Sequence, residues 1–127
     1  MREIEFRGKR IDGNKNWVIG NLIGNNPYYI IASENIKIDY NHTLSNTSVQ
    51  LVDPKTVGQY TGLKDKNDKK IYEGDIININ EAKWGVVEFY HSQWYVKDAR
   101  FIFNLHLDCH VCEITSNIHE NPELLDM

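Results

Sequence analysis

Apolar and polar residues alternate over short segments along most of this chain. In the first half, alternating or β-branched runs cover residues 4–6, 17–23, 28–31, 36–40 and 49–52. Turn residues such as Gly, Asn, Asp and Pro separate these runs. Alternation with a period of two over four to eight residues is typical of a half-buried β-strand. The first half is therefore predicted to consist of short β-strands.

The second half has the same pattern in a clearer form. Five further strand candidates cover residues 71–72, 75–79, 84–90, 94–97 and 111–114. The pattern contains no long amphipathic helix, and residues 99–107 fit either a strand or a short helix. Short strands separated by turns every eight to twelve residues are typical of a sandwich or a barrel. We therefore predict an all-β fold with at most a minor α component.

Two lobes are expected from the distribution of turn residues. The polar stretch at residues 41–47 reads as a long exposed loop or as a boundary, and Asp53-Pro54 ends a strand. We predict an N-terminal β lobe at residues 1–55 and a second lobe with a C-terminal tail at residues 56–127, although the length also fits one compact unit.

The second half contains the sequence pattern of an SH3-like barrel. In this pattern the run EGDII is followed by a short turn and then by GVV, and a glycine permits a sharp strand bend. An SH3-like barrel is thus expected in the C-terminal half, with the N-terminal lobe packed on it.

Composition restricts the classes of function. The chain has 127 residues, of which 41% are hydrophobic, and 18 acidic residues against 14 basic residues give a net charge of −4. A nucleic-acid-binding protein usually carries a basic excess, which the whole chain lacks. No window approaches the ~18 consecutive apolar residues of a membrane span, and no apolar signal segment follows the N-terminus. We expect a cytoplasmic protein without a membrane partner.

A lysine loop at residues 64–70 is the first candidate binding element. Asp65 and Asp68 are interleaved with its four lysines, so a solvated β-turn is an alternative to contact with phosphates or an acidic protein surface. Gly62 and Gly74 are expected to adopt backbone conformations that favour glycine. Asp75 is expected to accept hydrogen bonds from backbone amides of its own turn. The lysines of this loop are Lys64, Lys66, Lys69 and Lys70.

Aromatic residues are frequent in the second half. Four of them are candidate contact residues, with core packing as the alternative reading. The turn at residues 91–93 is short, so two of the four should flank the tip of a β-hairpin. The four candidates are Tyr60, Tyr72, Tyr90 and Trp94.

Metal binding and catalysis are both considered and not favoured. Cys109 and Cys112 with the nearby histidines (His106, His110 and His119) resemble half of a zinc site, but the chain has no other cysteine. On a regular strand, moreover, residues three apart point to opposite faces. Glu73, Asp75 and Glu88 are candidate acid–base carboxylates, but the sequence supplies no matching nucleophile or phosphate loop. We predict no metal, no cofactor and no enzymatic activity, with both cysteines reduced.

Three segments resemble the YopX family, small proteins encoded by bacteriophages and prophages of Gram-positive bacteria. They are residues 59–77 (QYTGLKDKNDKKIYEGDII), residues 2–10 with Trp17-Val18, and residues 114–125 (ITSNIHENPELL). Together they bracket nearly the whole chain. The resemblance implies the same SH3-like arrangement and a phage or prophage origin. The family has no established activity that can be carried over.

The functional expectation is a non-catalytic phage or prophage protein that binds a host or phage protein, either as a monomer or as a homo-oligomer. The lysine loop and the four aromatic residues are the expected contacts. The alternative is a nucleic-acid-binding accessory protein that uses the lysine loop or a basic N-terminal face. That face comprises Arg2, Arg7, Lys9 and Arg10. The tail at residues 117–125 is expected to dock through Leu124 and Leu125 on the protein's own surface or on a neighbouring subunit, because exposed apolar side chains gain free energy on burial.

Overall fold

The computed structural model describes residues 4–11, 16–24, 28–32, 49–80, 83–98 and 101–126. Over these residues the backbone is mainly antiparallel β-structure with one four-residue helix, α1 (Leu105–Asp108), so the all-β prediction is confirmed. Short 3-10 turns lie at Pro54–Thr56, Cys109–Val111 and Pro122–Asp126. The strands are β1 (Phe6–Lys9), β2 (Trp17–Gly24), β3 (Tyr28–Ala32), β4 (Val49–Val52), β5 (Gly58–Lys64), β6 (Lys70–Tyr72), β7 (Asp75–Ile79), β8 (Lys83–Tyr90), β9 (Gln93–Lys97), β10 (Ile102–Asn104) and β11 (Cys112–Asn117).

The chain divides into two compact units, Met1–Gln59 and Tyr60–Met127. In the first unit the strands lie in the order β4-β3-β2-β1, and the first residues of β5 pair with β1. Burial alternates along β2, since Val18 and Gly20 are buried and Ile19 is exposed. Val18, Ile30 and Val52 form the core of this unit, as expected where every second side chain faces inward. The sequence candidates at residues 36–40 and 41–47 lie outside the described residues.

Strand β1 approaches β4 closely at Gly8. A Cβ atom on Gly8 would lie 3.0 Å from the Val52 Cβ and 3.1 Å from the Ile30 Cδ1. The approach continues beyond the strand, where the Asp53 N–H donates to the Lys9 carbonyl at 2.8 Å. A larger residue at position 8 would push these backbones apart.

In the second unit, the end of β5 pairs with β6, and a five-stranded sheet has the order β10-β9-β8-β7-β11. The sequence candidates in this half correspond to β6, β7, β8, β9 and the start of β11. Residues 99–107, left open between strand and helix, contain both β10 and the start of α1. The buried core of this unit comprises Ile71, Ile77, Ile79, Val87, Trp94, Val96, Leu105 and Cys112.

The SH3-like barrel expected in the C-terminal half is not confirmed. Strand β10 pairs with β9 and β11 pairs with β7, and within the described residues no pairing joins β10 to β11. A barrel requires a ladder of hydrogen bonds that closes on itself. Strand β10 has three residues because the chain enters α1 at Asn104, whose side-chain oxygen accepts the His106 N–H at 2.9 Å. The sheet is therefore open.

The C-terminal segment docks on the second unit. The Ile118 N–H donates to the Gly74 carbonyl at 2.9 Å, and the Ser116 hydroxyl donates to the Asn121 side-chain oxygen at 2.6 Å. The final 3-10 turn contacts β8, and Leu124 is half-buried there. The side chain of Leu125 lies outside the described residues. Hydrogen bonds and apolar contact thus hold a segment whose Pro122 prevents it from extending β11.

Candidate functional site

Strands β8 and β9 form a hairpin with a two-residue turn at His91 and Ser92. Tyr90 pairs with Gln93 across this turn, and the φ angles of His91 and Ser92 are 48° and 65°. Positive φ at both central residues is the geometry of a type I′ turn, whose twist matches that of the flanking strands. The turn therefore sets the positions of the residues at the end of the hairpin.

This end of the hairpin is rich in exposed aromatic surface. Tyr90 is 58% exposed and Phe89 is 51% exposed. The Tyr90 ring lies against His91, with centroids 4.0 Å apart, and 6.4 Å from the half-buried Tyr95. Because successive strand residues face opposite sides, Phe89 and Tyr90 present a ring on each face of the hairpin. We call Phe89, Tyr90 and Tyr95 the aromatic tip.

Neighbouring contacts position the aromatic tip. Phe89 packs edge-on against Trp94, with ring centroids 4.9 Å apart, and Trp94 is only 8% exposed. The Tyr95 hydroxyl donates to the Gln93 side-chain oxygen at 3.3 Å, and the Asn104 amide donates to the same oxygen at 2.8 Å. The second bond connects the hairpin to β10. The tip thus rests on buried aromatic packing on one face and on a polar network on the other.

The sequence identified this hairpin but not all of its exposed residues. Tyr90 lies at the tip, as the sequence suggested. Trp94 flanks the tip but is buried beneath Phe89. Phe89 and Tyr95 were not among the candidates. Phe89 shares its strand face with buried Val87, so alternation alone assigns it to the core, and only its position beyond the edge of that core exposes it.

Two further aromatic candidates are buried. Tyr60 on β5 and Tyr72 on β6 are cross-strand partners, with ring centroids 5.6 Å apart, and each is 4% exposed. The Lys70 ammonium lies 5.2 Å from the centroid of the Tyr60 ring. Cation–π and aromatic packing account for this arrangement. These two rings have little surface to offer a partner, and their predicted binding role receives no support from this placement.

The lysine loop carries ion pairs that reduce its free positive charge. Lys64 lies 3.7 Å from the Asp68 carboxylate, and Lys66 lies 3.4 Å from that of Glu113. Lys69 is exposed in the turn between β5 and β6. Exposed ion pairs add little stability, but they lower the net field that a phosphate would meet. The binding role of this loop stays a prediction.

Asp65 has a structural position that the sequence reasoning missed. Its carboxylate is buried, and Oδ1 accepts the N–H groups of Asn67 and Lys69, each at 2.9 Å. Oδ2 accepts the Ile114 N–H at 3.0 Å. The sequence reading treated Asp65 as a surface charge that offsets the lysines, whereas it joins the turn to β11. An Asp at the start of a polar turn often accepts the backbone N–H two residues later, and this preference is the sequence signal that could have identified Asp65.

The turn residues singled out from the sequence have the following geometry. Gly62 and Gly74 have φ angles of 86° and 92°, in the region that favours glycine. Asp75 is buried and accepts the Tyr72 N–H at 2.8 Å. Glu73 is half-buried and Glu88 is exposed. Asp75 is thus engaged with the backbone of its own turn.

Cys109 and Cys112 do not lie on one regular strand, so the strand geometry assumed from the sequence is wrong. Cys109–Val111 forms a 3-10 turn and β11 begins at Cys112. The Cys112 thiol donates to the Asp108 carbonyl at 3.1 Å. Burial, with added negative charge from Cys109, Asp108 and Asp65, raises the pKa of the Cys112 thiol to about 12. Across the described ranges, no three His, Cys, Asp or Glu side chains are grouped to hold a metal.

The basic N-terminal face is described only in part, because Arg2 lies outside the described residues. The guanidinium of Arg7 lies 5.0 Å from the ring centroid of Trp17, a cation–π contact between β1 and β2. Lys9 and Arg10 are half-buried. Arg7 is therefore part of the packing of its own sheet rather than a fully solvated cation.

The comparisons with known proteins agree with this architecture. The family model described as YopX protein matches residues 5–126, so the chain belongs to the YopX family. The fold is similar to the crystal structure of protein EF1440 from Enterococcus faecalis, with a TM-score of 0.61 and 23% sequence identity. That match covers 98% of this chain and 99% of the other. No characterised protein matches the sequence significantly.

Proteins of this family are not assigned an activity by these matches. Within the described parts of the chain, no helix has the length and apolar character needed to cross a membrane. The likeness to the Enterococcus faecalis protein concerns the fold alone. Function must therefore be inferred from the surface of this chain.

Proposed function

We propose that this protein is a non-catalytic binding module of a phage or prophage that acts on a host or phage protein through its aromatic tip. The observation that carries the proposal is the exposure of Tyr90 and Phe89 beside a two-residue type I′ turn. Large aromatic side chains gain free energy when a partner removes them from water. Their cluster at one end of a hairpin favours a protein partner.

Preorganisation supports the same function. Tyr90 rests on His91 and Phe89 rests on Trp94 before any partner arrives. Side chains that are already ordered lose less conformational entropy on binding, so more of the contact free energy contributes to affinity. Tyrosine is also among the residues that dominate interface energetics. The aromatic tip thus has the chemistry of a binding anchor.

A nucleic-acid partner, the alternative from another class, fits the charges less well. The ion pairs of Lys64 and Lys66 with carboxylates offset part of the lysine loop, and the whole chain has a net charge of −4. Binding driven by phosphates requires uncompensated cations and weakens steeply with salt. The proposal therefore favours a protein, and the salt dependence distinguishes the two.

The test compares capture by three forms of the tagged chain. Wild type, Tyr90→Ser and Leu107→Ser are each incubated with lysate of a Gram-positive host, before and during phage infection, and captured proteins are identified by mass spectrometry. Leu107 on α1 is 67% exposed and serves as the matched control, because its replacement also removes exposed apolar surface but outside the tip. We expect a protein that wild type and Leu107→Ser capture and Tyr90→Ser does not.

Affinity measurement gives the expected size of the effect. For the purified partner, Tyr90→Ser should raise Kd by roughly 10-fold or more, the range of an aromatic hot spot, and Leu107→Ser should leave Kd within about a factor of two. Equal affinities of wild type and Tyr90→Ser would contradict the proposed site. DNA or RNA binding that falls steeply with salt and ignores Tyr90 would favour the alternative. Light scattering of the same samples reports whether the partner is a second copy of this chain.

A further inference from the structure

A 3-10 turn at Cys109–Val111, followed by Cys112, brings the backbones of the two cysteines close together. The Cys112 N–H donates to the Cys109 carbonyl and closes the 3-10 turn. In a regular strand, by contrast, residues three apart are separated by about 10 Å along the chain. The ends of such a turn lie within about 7 Å between Cα atoms, and disulfides join Cα atoms roughly 4.4–6.8 Å apart. The backbone geometry is thus compatible with a direct bond between the two sulfur atoms.

The two thiols differ in accessibility in the way that a stepwise reaction needs. Cys109 is half-buried, and its sulfur lies 3.9 Å from the His106 carbonyl. Cys112 is fully buried, and its thiol donates to the Asp108 carbonyl. Burial is the main cause of the raised pKa of Cys112, and the electrostatic interaction with Cys109 adds to it, which is consistent with the proximity of the two groups. Only Cys109 offers a sulfur that a dissolved reagent reaches in the folded chain.

We propose that Cys109 and Cys112 are a modification site, a dithiol pair that closes reversibly to an intramolecular disulfide on reaction with a small-molecule disulfide. The inference is independent of the proposed binding function. In reducing compartments such as the cytosol, disulfides are typically transient and act in catalysis or redox sensing. Within the described parts of the chain, no further His, Cys, Asp or Glu side chain is grouped with the pair to complete a metal site.

The reaction proceeds by two thiol–disulfide exchanges. The Cys109 thiolate attacks one sulfur of the small-molecule disulfide, forms a mixed disulfide and releases one small thiolate, which takes up a proton. The Cys112 sulfur then attacks the Cys109 sulfur as its thiol gives up its proton, and the second small thiolate that is expelled takes up that proton. The chain loses two electrons and two protons, which together are two hydrogen atoms, and one small-molecule disulfide becomes two thiols. Excess small thiol reverses both steps.

The pair lies beside the turn that Asp65 organises. The Cys112 carbonyl accepts the Lys66 N–H at 2.9 Å, and two residues further on the Ile114 N–H donates to Asp65. Closure of the disulfide replaces the hydrogen bond from the Cys112 thiol to Asp108. Closure of the pair would therefore change contacts at the junction of the 65–69 turn with β11.

The test treats the folded full-length chain with oxidised glutathione and follows its thiols. We expect loss of both alkylatable thiols, a monomer mass lower by two hydrogen atoms, and a single non-reducing peptide in which Cys109 is bonded to Cys112. Dithiothreitol should restore both thiols. The Cys112→Ala variant should stop at a glutathione adduct on Cys109, and Cys109→Ala should react at least ~10-fold more slowly than Cys112→Ala, because its remaining thiol is buried.

Several results would overturn the inference. Two free thiols after prolonged treatment would do so, as would adducts without ring closure in wild type or a disulfide only between chains. Equal reactivity of the two single variants would show that the order of attack is wrong. Circular dichroism confirms that each variant is folded. If Cys112→Ala unfolds, Cys112→Val offers a second apolar replacement for the buried thiol, and the wild-type mass shift still decides whether the ring closes.

Discussion

Replacement of Asp65 by Ala should lower the free energy of unfolding by about 2–4 kcal/mol. One carboxylate accepts the N–H groups of Asn67, Lys69 and Ile114, and the side chain is 5% exposed. Ala removes all three bonds and leaves donors of the turn without their acceptor. Loss of a buried acceptor costs about 1–3 kcal/mol for each donor that is left without a hydrogen-bond partner, although water reaching the turn reduces the total.

Urea denaturation with linear extrapolation measures this change. Asp68→Ala is the matched control, since Asp68 is an exposed aspartate of the same turn whose side chain pairs with Lys64. It should change stability by less than about 1 kcal/mol. The Asp65→Asn variant keeps one acceptor oxygen and should fall between wild type and Asp65→Ala. Equal stability of Asp65→Ala and Asp68→Ala would show that the buried carboxylate does not hold the turn to β11.

Replacement of Gly74 by Val should lower the free energy of unfolding by about 1–3 kcal/mol. The φ angle of Gly74 is 92°, a conformation that a β-branched residue adopts only with strain. A Cβ atom at this position would also lie 3.3 Å from the His119 Nε2. The backbone of Gly74 donates to the Val87 carbonyl and accepts from the Ile118 N–H, so a shift in the turn disturbs both β8 and the C-terminal segment.

Gly62→Val separates backbone strain from crowding. Gly62 has a similar φ of 86°, but nothing lies within 4 Å of the Cβ position. Thermal and urea unfolding should show both variants destabilised, with the larger loss for Gly74→Val because His119 and the segment behind it must move. An unchanged melting temperature for Gly74→Val would show that the Glu73-Gly74 turn relaxes without loss.

Local pattern was sufficient for three strands of the five-stranded sheet. Strands β7, β8 and β9 were all predicted within one residue of their ends, because each alternates or is β-branched between turn residues. Strand β5 was not among the predicted strands, and its last residue, Lys64, was assigned to the lysine loop. Gly62 interrupts its alternation, and the register with β6 shifts between Tyr60 and Lys64. An irregular strand of this kind becomes recognisable only through its partner.

The candidate site, like the strands, was predicted from the sequence only in part. The sequence located the β8–β9 hairpin and Tyr90, because a short polar turn between aromatic strands has a local signature. It did not distinguish exposed Phe89 from buried Trp94, Tyr60 and Tyr72. Aromatic residues serve equally as core and as contact surface, so their type does not reveal their burial. The cysteine turn likewise depends on where α1 ends and β11 begins.

The sequence by itself determined the all-β class, the family and most strand positions, since period-two alternation and family segments are properties of neighbouring residues. Only the tertiary structure decided that the C-terminal sheet is open, that Asp65 is a buried acceptor for β11, and that Phe89 reaches solvent. Each of these depends on contacts between residues far apart in the chain. The Asp65 carboxylate, for example, meets an amide 49 positions away. Such pairings follow from how the strands pack, so the pattern of neighbouring residues does not predict them.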